Sequence, residues 1–166
     1  TSKRLMEWIT IALLIAFGIM AQMQVKFWVY PTAPIYLNFV RFMTGEYDHK
    51  TYMNTFDNAS RNYAIAQYLN ARLTKDDQIY VWGTDPTIYN LTHRLPTGGK
   101  YFVSFHVHDL KKYDYTMENL QRTQPKAIII LSGAGEFSEL QHYIDNHYVE
   151  AHKVDDNIIY LRMDIS

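Results

Sequence analysis

Two histidines and an aspartate at positions 106, 108 and 109 are of the residue types that ligate zinc. If this segment is a β-strand, His106 and His108 point to one face, and Asp109 could add a carboxylate. A metallohydrolase needs further ligands at set positions, and the other histidines of the chain show no paired spacing that supplies them. We therefore treat these three residues as metal candidates only, and we expect no metal or other cofactor. A small metal-dependent hydrolase is the weakest of three functional hypotheses.

A second candidate lies where an aromatic strand ends, in the sequence Trp82-Gly83-Thr84-Asp85-Pro86. Ligands of open α/β sheets bind outside the carboxyl ends of the strands. Asp85 would lie there at a helix N-terminus beside an indole, with Tyr89 one turn further along. The alternative is structural, because Asp85 before Pro86 is also a typical helix start, and Trp82 would then simply pack.

A third candidate is the turn Ser132-Gly133-Ala134-Gly135-Glu136, which follows an apolar strand and precedes a helix. Backbone N–H groups of such a turn can hold phosphate. A dinucleotide fingerprint requires another glycine at a fixed spacing, and Glu136 places negative charge where phosphate would bind. A plain strand-to-helix turn is therefore the better interpretation.

The composition excludes several classes of chemistry. The chain has no Cys, so thiolate nucleophiles and disulfides are ruled out, and the sequence shows neither a P-loop nor a Gly-x-Ser-x-Gly elbow. Its 16 basic and 17 acidic residues nearly balance, which argues against a nucleic-acid partner bound by bulk electrostatics. We assign no catalytic residue.

The elements that would position these groups alternate between strands and helices, which predicts an α/β fold. We expect a small three-layer domain with a mostly parallel sheet and a C-terminal antiparallel hairpin around Asp155-Asp156-Asn157. The predicted strands are 78–82, 101–107, 127–131, 148–154 and 158–163. The first predicted helix follows an N-cap at Asp57 or Asn58 and ends before Thr74, and the others are 87–92, 115–122 and 136–146.

Residues 8–25 carry no charge and would span roughly 27 Å as a helix, close to the ~30 Å hydrocarbon core of a bilayer. Lys3 and Arg4 precede this segment, and Trp28 and Tyr30 follow it, as at the two ends of a membrane-spanning helix. The positive-inside rule then predicts a cytoplasmic N-terminus and an extracytoplasmic C-terminal domain. A signal peptide cleaved near residues 16–18 and a buried core helix are the alternatives.

The chain accordingly divides into a membrane-spanning helix with its flanks (1–28), a connector and juxtamembrane segment (29–56), and an extracytoplasmic α/β domain (57–166). Tyr30–Pro34 is expected to be an extended connector because its prolines restrict the backbone. Residues 35–43 are apolar and aromatic and would lie either on the membrane surface or against the domain. The chain begins with Thr1, so we expect processing or a longer parent protein.

Residues 60–108 resemble part of a known family. The segments are Asp77–Gly83, Asp85–Thr97 and a strand starting at Tyr101-Phe102, after an apolar helix and a proline connector. They are similar to the C-terminal end of bacterial C-type-fold membrane glycosyltransferases, in the branch of protein O-mannosyltransferases and aminoarabinose transferases. The resemblance implies an enzyme that transfers sugar from a polyprenyl-phosphate donor outside the membrane, whose catalytic loop is missing from this chain.

On that resemblance the chain would be a non-catalytic soluble portion that assists donor or acceptor binding. Its partners would be membrane lipid and a lipid-linked sugar or glycan acceptor. Trp82, Asp85, Tyr89 and Arg94 would be the substrate-binding residues, because aromatic faces stack on sugars and charged groups bind hydroxyls or phosphate. The same four residues fit a packing and capping network equally well. The alternative function is a self-standing, single-pass binding or interaction module of the cell envelope.

Overall fold

The computed structural model of the chain describes residues 2–25 and 32–163. The chain separates into two compact units, residues 1–56 and 57–166, which are treated separately. The predicted flanking residues Trp28 and Tyr30, and the first part of the predicted connector, lie outside the described residues.

The first unit is helical and contains α1 (Ser2–Val25), α2 (Thr32–Met43) and α3 (His49–Met53). Within the described residues, α1 is the one helix long and apolar enough to cross a membrane. The prediction of an extended connector through Pro34 was wrong, because α2 already begins at Thr32. Pro34 lies in the first turn of α2. Backbone N–H groups there have no acceptor within the helix, so the N–H that proline lacks is not needed.

The second unit contains a four-stranded mixed sheet in the order β1 (Ile79–Trp82), β2 (Ala127–Ile130), β4 (Asn157–Arg162) and β3 (Tyr148–Val154). β1 and β2 are parallel, whereas β4 is antiparallel to both of its neighbours. The α/β class, the apolar N-terminal helix and the C-terminal hairpin are therefore confirmed. The parallel part of the sheet is confined to one pair of strands.

Helices cover both faces of this sheet because alternate strand residues point to opposite sides. Tyr80, Trp82 and Ile128 face one core with α6 (Ser104–Asp109), α7 (Tyr113–Thr123) and α8 (Ser138–His147). Val81 and Ile129 face the other core with α4 (Ala59–Asn70) and α5 (Thr87–Thr92). The domain thus has three layers.

The strand predicted over 101–107 is wrong, because residues 104–109 form α6. Val103, Ser104 and Val107 are buried, whereas Phe105 and His106 are exposed. This spacing of three and four residues is that of a helix face. The backbone N–H of Ser104 donates to the Gly83 carbonyl oxygen at 2.9 Å, which ties the start of α6 to the end of β1.

The outer edges of the sheet are partly shielded by side chains. On β1, the Val81 N–H donates to the Tyr89 hydroxyl at 2.7 Å, and the Thr97 hydroxyl donates to the Ile79 carbonyl at 3.1 Å. On β3, the Tyr68 hydroxyl donates to the Ala151 carbonyl at 3.1 Å, beside a register shift. Shielded and irregular edges resist pairing with another chain.

Candidate functional site

Trp82 lies where the parallel strands β1 and β2 end together, but the residue is only 2% exposed. The indole Nε1 donates to the Gly135 carbonyl oxygen at 2.9 Å. The ring packs between His108 and Phe137, with centroid distances of 5.3 and 4.9 Å. Trp82 therefore anchors the glycine turn after β2 to the core.

His108 is fully engaged in hydrogen bonds at the same end of the sheet. Its Nε2 lies 3.3 Å from the Ala134 carbonyl oxygen, and its Nδ1 contacts the Tyr113 hydroxyl. A carbonyl oxygen only accepts, so the network assigns the proton to Nε2, and Nδ1 accepts from Tyr113. In this arrangement neither ring nitrogen has a lone pair free for a metal.

The metal candidates do not converge. His106 and His108 lie on α6, where residues two apart point to different sides, instead of on a strand. His106 is exposed and rests against Phe105, and Asp109 is exposed as well. Across residues 2–25 and 32–163, no group of three or more His, Cys, Asp or Glu side chains could hold a metal ion.

The turn after β2 has the geometry of a tight strand-to-helix connection. Gly133 and Gly135 have φ angles of +76° and +84°, which side chains rarely adopt. A Cβ at Gly135 would lie 2.6 Å from His108 Nε2. Gly133 and Gly135 therefore allow the backbone conformation of the turn, and Gly135 also leaves room for the His108 ring.

Beside Trp82 and this turn is an open cleft of about 390 Å³. α8 lines it together with two further clefts of about 880 and 560 Å³. The polar side chains at the first cleft are Glu136, Ser138, Gln141, His142 and Asp145. Several are already paired, since Ser138 Oγ donates to Glu136 at 3.3 Å and Gln141 donates to Asp145 at 2.8 Å. Two carboxylates at the lining disfavour an anionic ligand.

Asp85 lies at the start of α5 and joins it to α4. One carboxylate oxygen accepts from Arg61 at 2.9 Å and from Asn62 at 2.6 Å, and the other accepts from the Thr87 N–H at 3.1 Å. Burial alone would raise the pKa of the Asp85 carboxyl, but the hydrogen bonds from Asn62 and Thr87 and the charge of Arg61 hold this pKa below its usual value. Asp85 therefore binds the first backbone N–H of α5 from two residues before the helix, while Pro86 and not Asp85 lies at the N-cap position.

Arg94 has the most hydrogen bonds of the four predicted substrate-binding residues, although it is only 6% exposed. Its guanidinium donates to the carbonyl oxygens of Leu73, Thr74 and Thr92 at 2.7–3.2 Å and to Asn70 Oδ1 at 2.5 Å. Burial lowers the pKa of the guanidinium, and the nearby Asp77 opposes this shift. The guanidinium satisfies two carbonyls in the segment that follows α4 and the carbonyl of Thr92, the last residue of α5, where a helix leaves carbonyls without partners.

The four predicted residues are not brought together at one cavity. Trp82 faces the core beneath α6–α8, whereas Tyr89 belongs to the core beneath α4 and α5 and, of the other three, shares an open cleft of about 390 Å³ with Arg94 only. Tyr89 is buried, its hydroxyl holds the edge of β1, and burial raises its pKa. Each residue has a structural partner, and sugar binding by this set stays a prediction.

A comparison with models of protein families shows to which family the chain belongs. Residues 59–162 match the family described as "Putative competence-induced protein Ccs4 C-terminal domain". The chain belongs to this family. The match starts at the first residue of α4 and ends at the last residue of β4, so the Ccs4 C-terminal domain is the three-layer α/β domain. Searches of curated proteins and of solved structures gave no match.

Membership of the Ccs4 C-terminal domain family corrects the glycosyltransferase resemblance, which was wrong. The motif residues of that resemblance lie inside the matched segment, but they belong to a different family. The expected lipid-linked sugar donor rested on that resemblance and loses its basis with it.

Sequence reasoning missed the residues that link distant segments of the Ccs4 C-terminal domain. Arg61 and Asn62, which bind Asp85, lie 24 and 23 residues before it, and Tyr113 contacts His108 from the next helix. No local pattern marks such pairs. The polar face of α8 could have been found, because Gln141 and Asp145 are four residues apart on the predicted helix.

Proposed function

We propose that this chain is a single-pass membrane protein that carries its Ccs4 C-terminal domain outside the cytoplasm as a binding or interaction module. The observation that supports this best is the exposure of α1. None of its apolar window is buried, and its large apolar side chains are 45–69% exposed. A core helix of a soluble domain would be mostly buried, so α1 needs an apolar environment that the described residues do not supply.

The dimensions of α1 fit a bilayer. Its 24 residues extend about 36 Å, enough to cross a hydrocarbon core of about 30 Å. The hydroxyl of Thr10 donates to the Met6 carbonyl oxygen at 2.9 Å within the helix, so it needs no partner from solvent or lipid. The remaining polar residues of the apolar stretch, Gln22 and Gln24, lie near its end.

The charges at the two ends support one orientation. Lys3 and Arg4 lie at the N-terminal end, whereas Lys26 is the first basic residue after the apolar stretch. An excess of basic residues marks the cytoplasmic side. We therefore propose a cytoplasmic N-terminus and an extracytoplasmic domain.

An interaction role for the domain is supported by the internal hydrogen bonds of its reactive groups. Asp85, Tyr89 and His108, which lie near the ends of β1 and β2, are engaged in internal hydrogen bonds. The exposed polar face of α8, which lines three clefts, remains for contacts with a partner. The family description names a competence-induced protein, so we propose that this chain acts when competence is induced.

The test is the membrane association of the tagged full chain in cells in which competence has been induced. We expect the unmodified chain to stay in the membrane pellet after an alkaline carbonate wash. The variant Leu13→Asp/Leu14→Asp should be lost from the pellet, because each Asp at the centre of a spanning helix costs roughly 2.5–3.5 kcal/mol. The matched control Leu13→Ile/Leu14→Ile keeps the helix apolar and should behave as the unmodified chain.

Two results would contradict the proposal. Release of the unmodified chain by carbonate would show that α1 does not span the bilayer. Recovery of only a shortened, soluble product would show that the apolar segment is a cleaved signal peptide.

A further inference from the structure

An exposed apolar stripe runs along α2. The stripe consists of Tyr36 and the residues three, four and seven positions after it, which are Phe39, Val40 and Met43. This spacing places all four on one face of the helix. Their exposed fractions are 68%, 46%, 53% and 66%. No residue of α2 is buried. The stripe is therefore a continuous apolar surface.

The opposite side of α2 carries the polar groups. Arg41 lies about 140–160° around the helix from Tyr36 and Met43, at 100° per residue. It pairs with Glu46 at 3.5 Å and donates to the Tyr47 hydroxyl at 3.0 Å, both in the turn that follows α2. Asn38 lies on the same side as Arg41. This polar side is narrow, because Leu37 lies about 40° from Arg41 and is 51% exposed, and the single charge of the helix is paired.

α3 fixes one flank of this helix without covering the stripe. Tyr52 stacks on Phe42 with a centroid distance of 4.6 Å and contacts Phe39 at 6.5 Å. Asp48 starts α3 by accepting from the Thr51 N–H at 2.7 Å. The aromatic contacts hold α2 and α3 together as a hairpin, while Tyr36, Val40 and Met43 stay exposed.

We propose that the stripe of Tyr36, Phe39, Val40 and Met43 lies in the headgroup region of the bilayer, so that α2 is an in-plane membrane helix. This rests on the proposed spanning role of α1. Six residues separate Val25 from Thr32, and these seven steps reach at most about 25 Å. α2 therefore starts within reach of the surface from which α1 emerges.

The short connection from α1 to α2 also explains how a helix of only 12 residues can bind lipid. A helix of 12 residues with one paired charge gains little from anionic lipids, and burial of its apolar stripe is the main attraction. Attachment to a membrane anchor raises the local lipid concentration, so modest burial suffices. Tyr and Phe are also the side chains that favour the interface between headgroups and acyl chains.

The absence of Cys from the chain allows single-site labelling of the intact protein. Val40→Cys reports on the stripe, Asn38→Cys on the opposite side of α2, and Leu14→Cys on the centre of α1. Each variant of the full chain carries an environment-sensitive NBD label and is reconstituted into phosphatidylcholine vesicles. The vesicles contain either unlabelled lipid or lipid with a nitroxide near the headgroup or at mid-chain.

We expect the label at Val40 to be blue-shifted and to lose most of its fluorescence with the shallow nitroxide. The label at Asn38 should stay close to its emission in water. The label at Leu14 should be quenched most by the mid-chain nitroxide, which checks the anchor separately. If Leu14 is quenched and Val40 is not, the in-plane helix is refuted and the anchor stands.

Three further outcomes would refute either the in-plane helix or the membrane anchor. A blue-shifted but unquenched label at Val40 would mean that the domain or a second copy covers the stripe, which overturns the proposal. Equal quenching at Val40 and Asn38 would overturn the in-plane orientation. Absence of quenching at Leu14 would refute the proposed anchor itself.

Discussion

Replacement of Arg94 by methionine should lower the free energy of unfolding of the α/β domain by roughly 3 kcal/mol. The variant keeps much of the side-chain volume but removes every donor. The carbonyl oxygens of Leu73, Thr74 and Thr92 would then lose their charged partner in a site where Arg94 is 6% exposed. Urea unfolding of the full chain in detergent, followed by circular dichroism, measures the change.

Arg72→Met is the matched control. Arg72 is exposed in the turn after α4, its guanidinium lies 3.8 Å from the centre of the Tyr68 ring, and it should contribute only about 0.5–1 kcal/mol. Equal unfolding midpoints for Arg94→Met and the unmodified chain would show that the Arg94 hydrogen bonds contribute nothing, and would leave this side chain free for a ligand.

Replacement of Trp82 by alanine should cost about 3–5 kcal/mol, because it removes a large buried ring and leaves a cavity. It also leaves the Gly135 carbonyl without its donor and removes the wall against which His108 and Phe137 pack. Trp82→Phe keeps most of the volume and loses the hydrogen bond, so it should cost about 1–2 kcal/mol. The same urea titration applies.

Trp8→Ala serves as the control, because Trp8 lies on the exposed surface of α1 and should not affect the stability of the domain. The substrate-binding hypothesis makes the opposite prediction for Trp82, since a ligand-contacting residue can be truncated without unfolding the domain. An unchanged midpoint for Trp82→Ala would therefore contradict the role of Trp82 as a core anchor.

Local patterns predicted much of the fold. Asp85 before Pro86 placed the short helix at 87–92, where α5 is found, and the apolar run from Ala127 placed β2. The segment around α6 was misread because Val103 and Val107 satisfy both a strand pattern and a helix spacing. The backbone hydrogen bond from Ser104 to Gly83, which ties the start of α6 to the end of β1, joins residues 21 positions apart and leaves no local signal.

The site was less predictable, for two physical reasons. Trp82 and Val81 point to opposite faces of the sheet, so residues close in sequence to Trp82 do not share its environment. The partners of Arg94 and Asp85 are 20 or more residues away along the chain and leave no local signal.

The mistaken family resemblance has a structural explanation. The residues that carried it connect β1 to α5 and to the loop after α5. A Cβ at Gly83 would lie 2.6 Å from Leu131 Cδ1, and Thr97 bonds to the Ile79 carbonyl. These motifs describe how the end of β1 packs closely against the end of β2 and against the loop after α5, and such packing is compatible with more than one family.

The orientation of the chain across the membrane tests the central claim most directly. Ser132→Cys places a thiol on an exposed turn of the domain, and Ser2→Cys places one near the N-terminus, in a chain with no other Cys. The cells are treated so that the envelope outside the cytoplasmic membrane lets a membrane-impermeant maleimide through while the cytoplasmic membrane stays closed. Ser132→Cys should then react, and Ser2→Cys should react only after lysis. Labelling of Ser2→Cys alone, or of neither variant before lysis, would contradict a domain held outside the cytoplasm by α1.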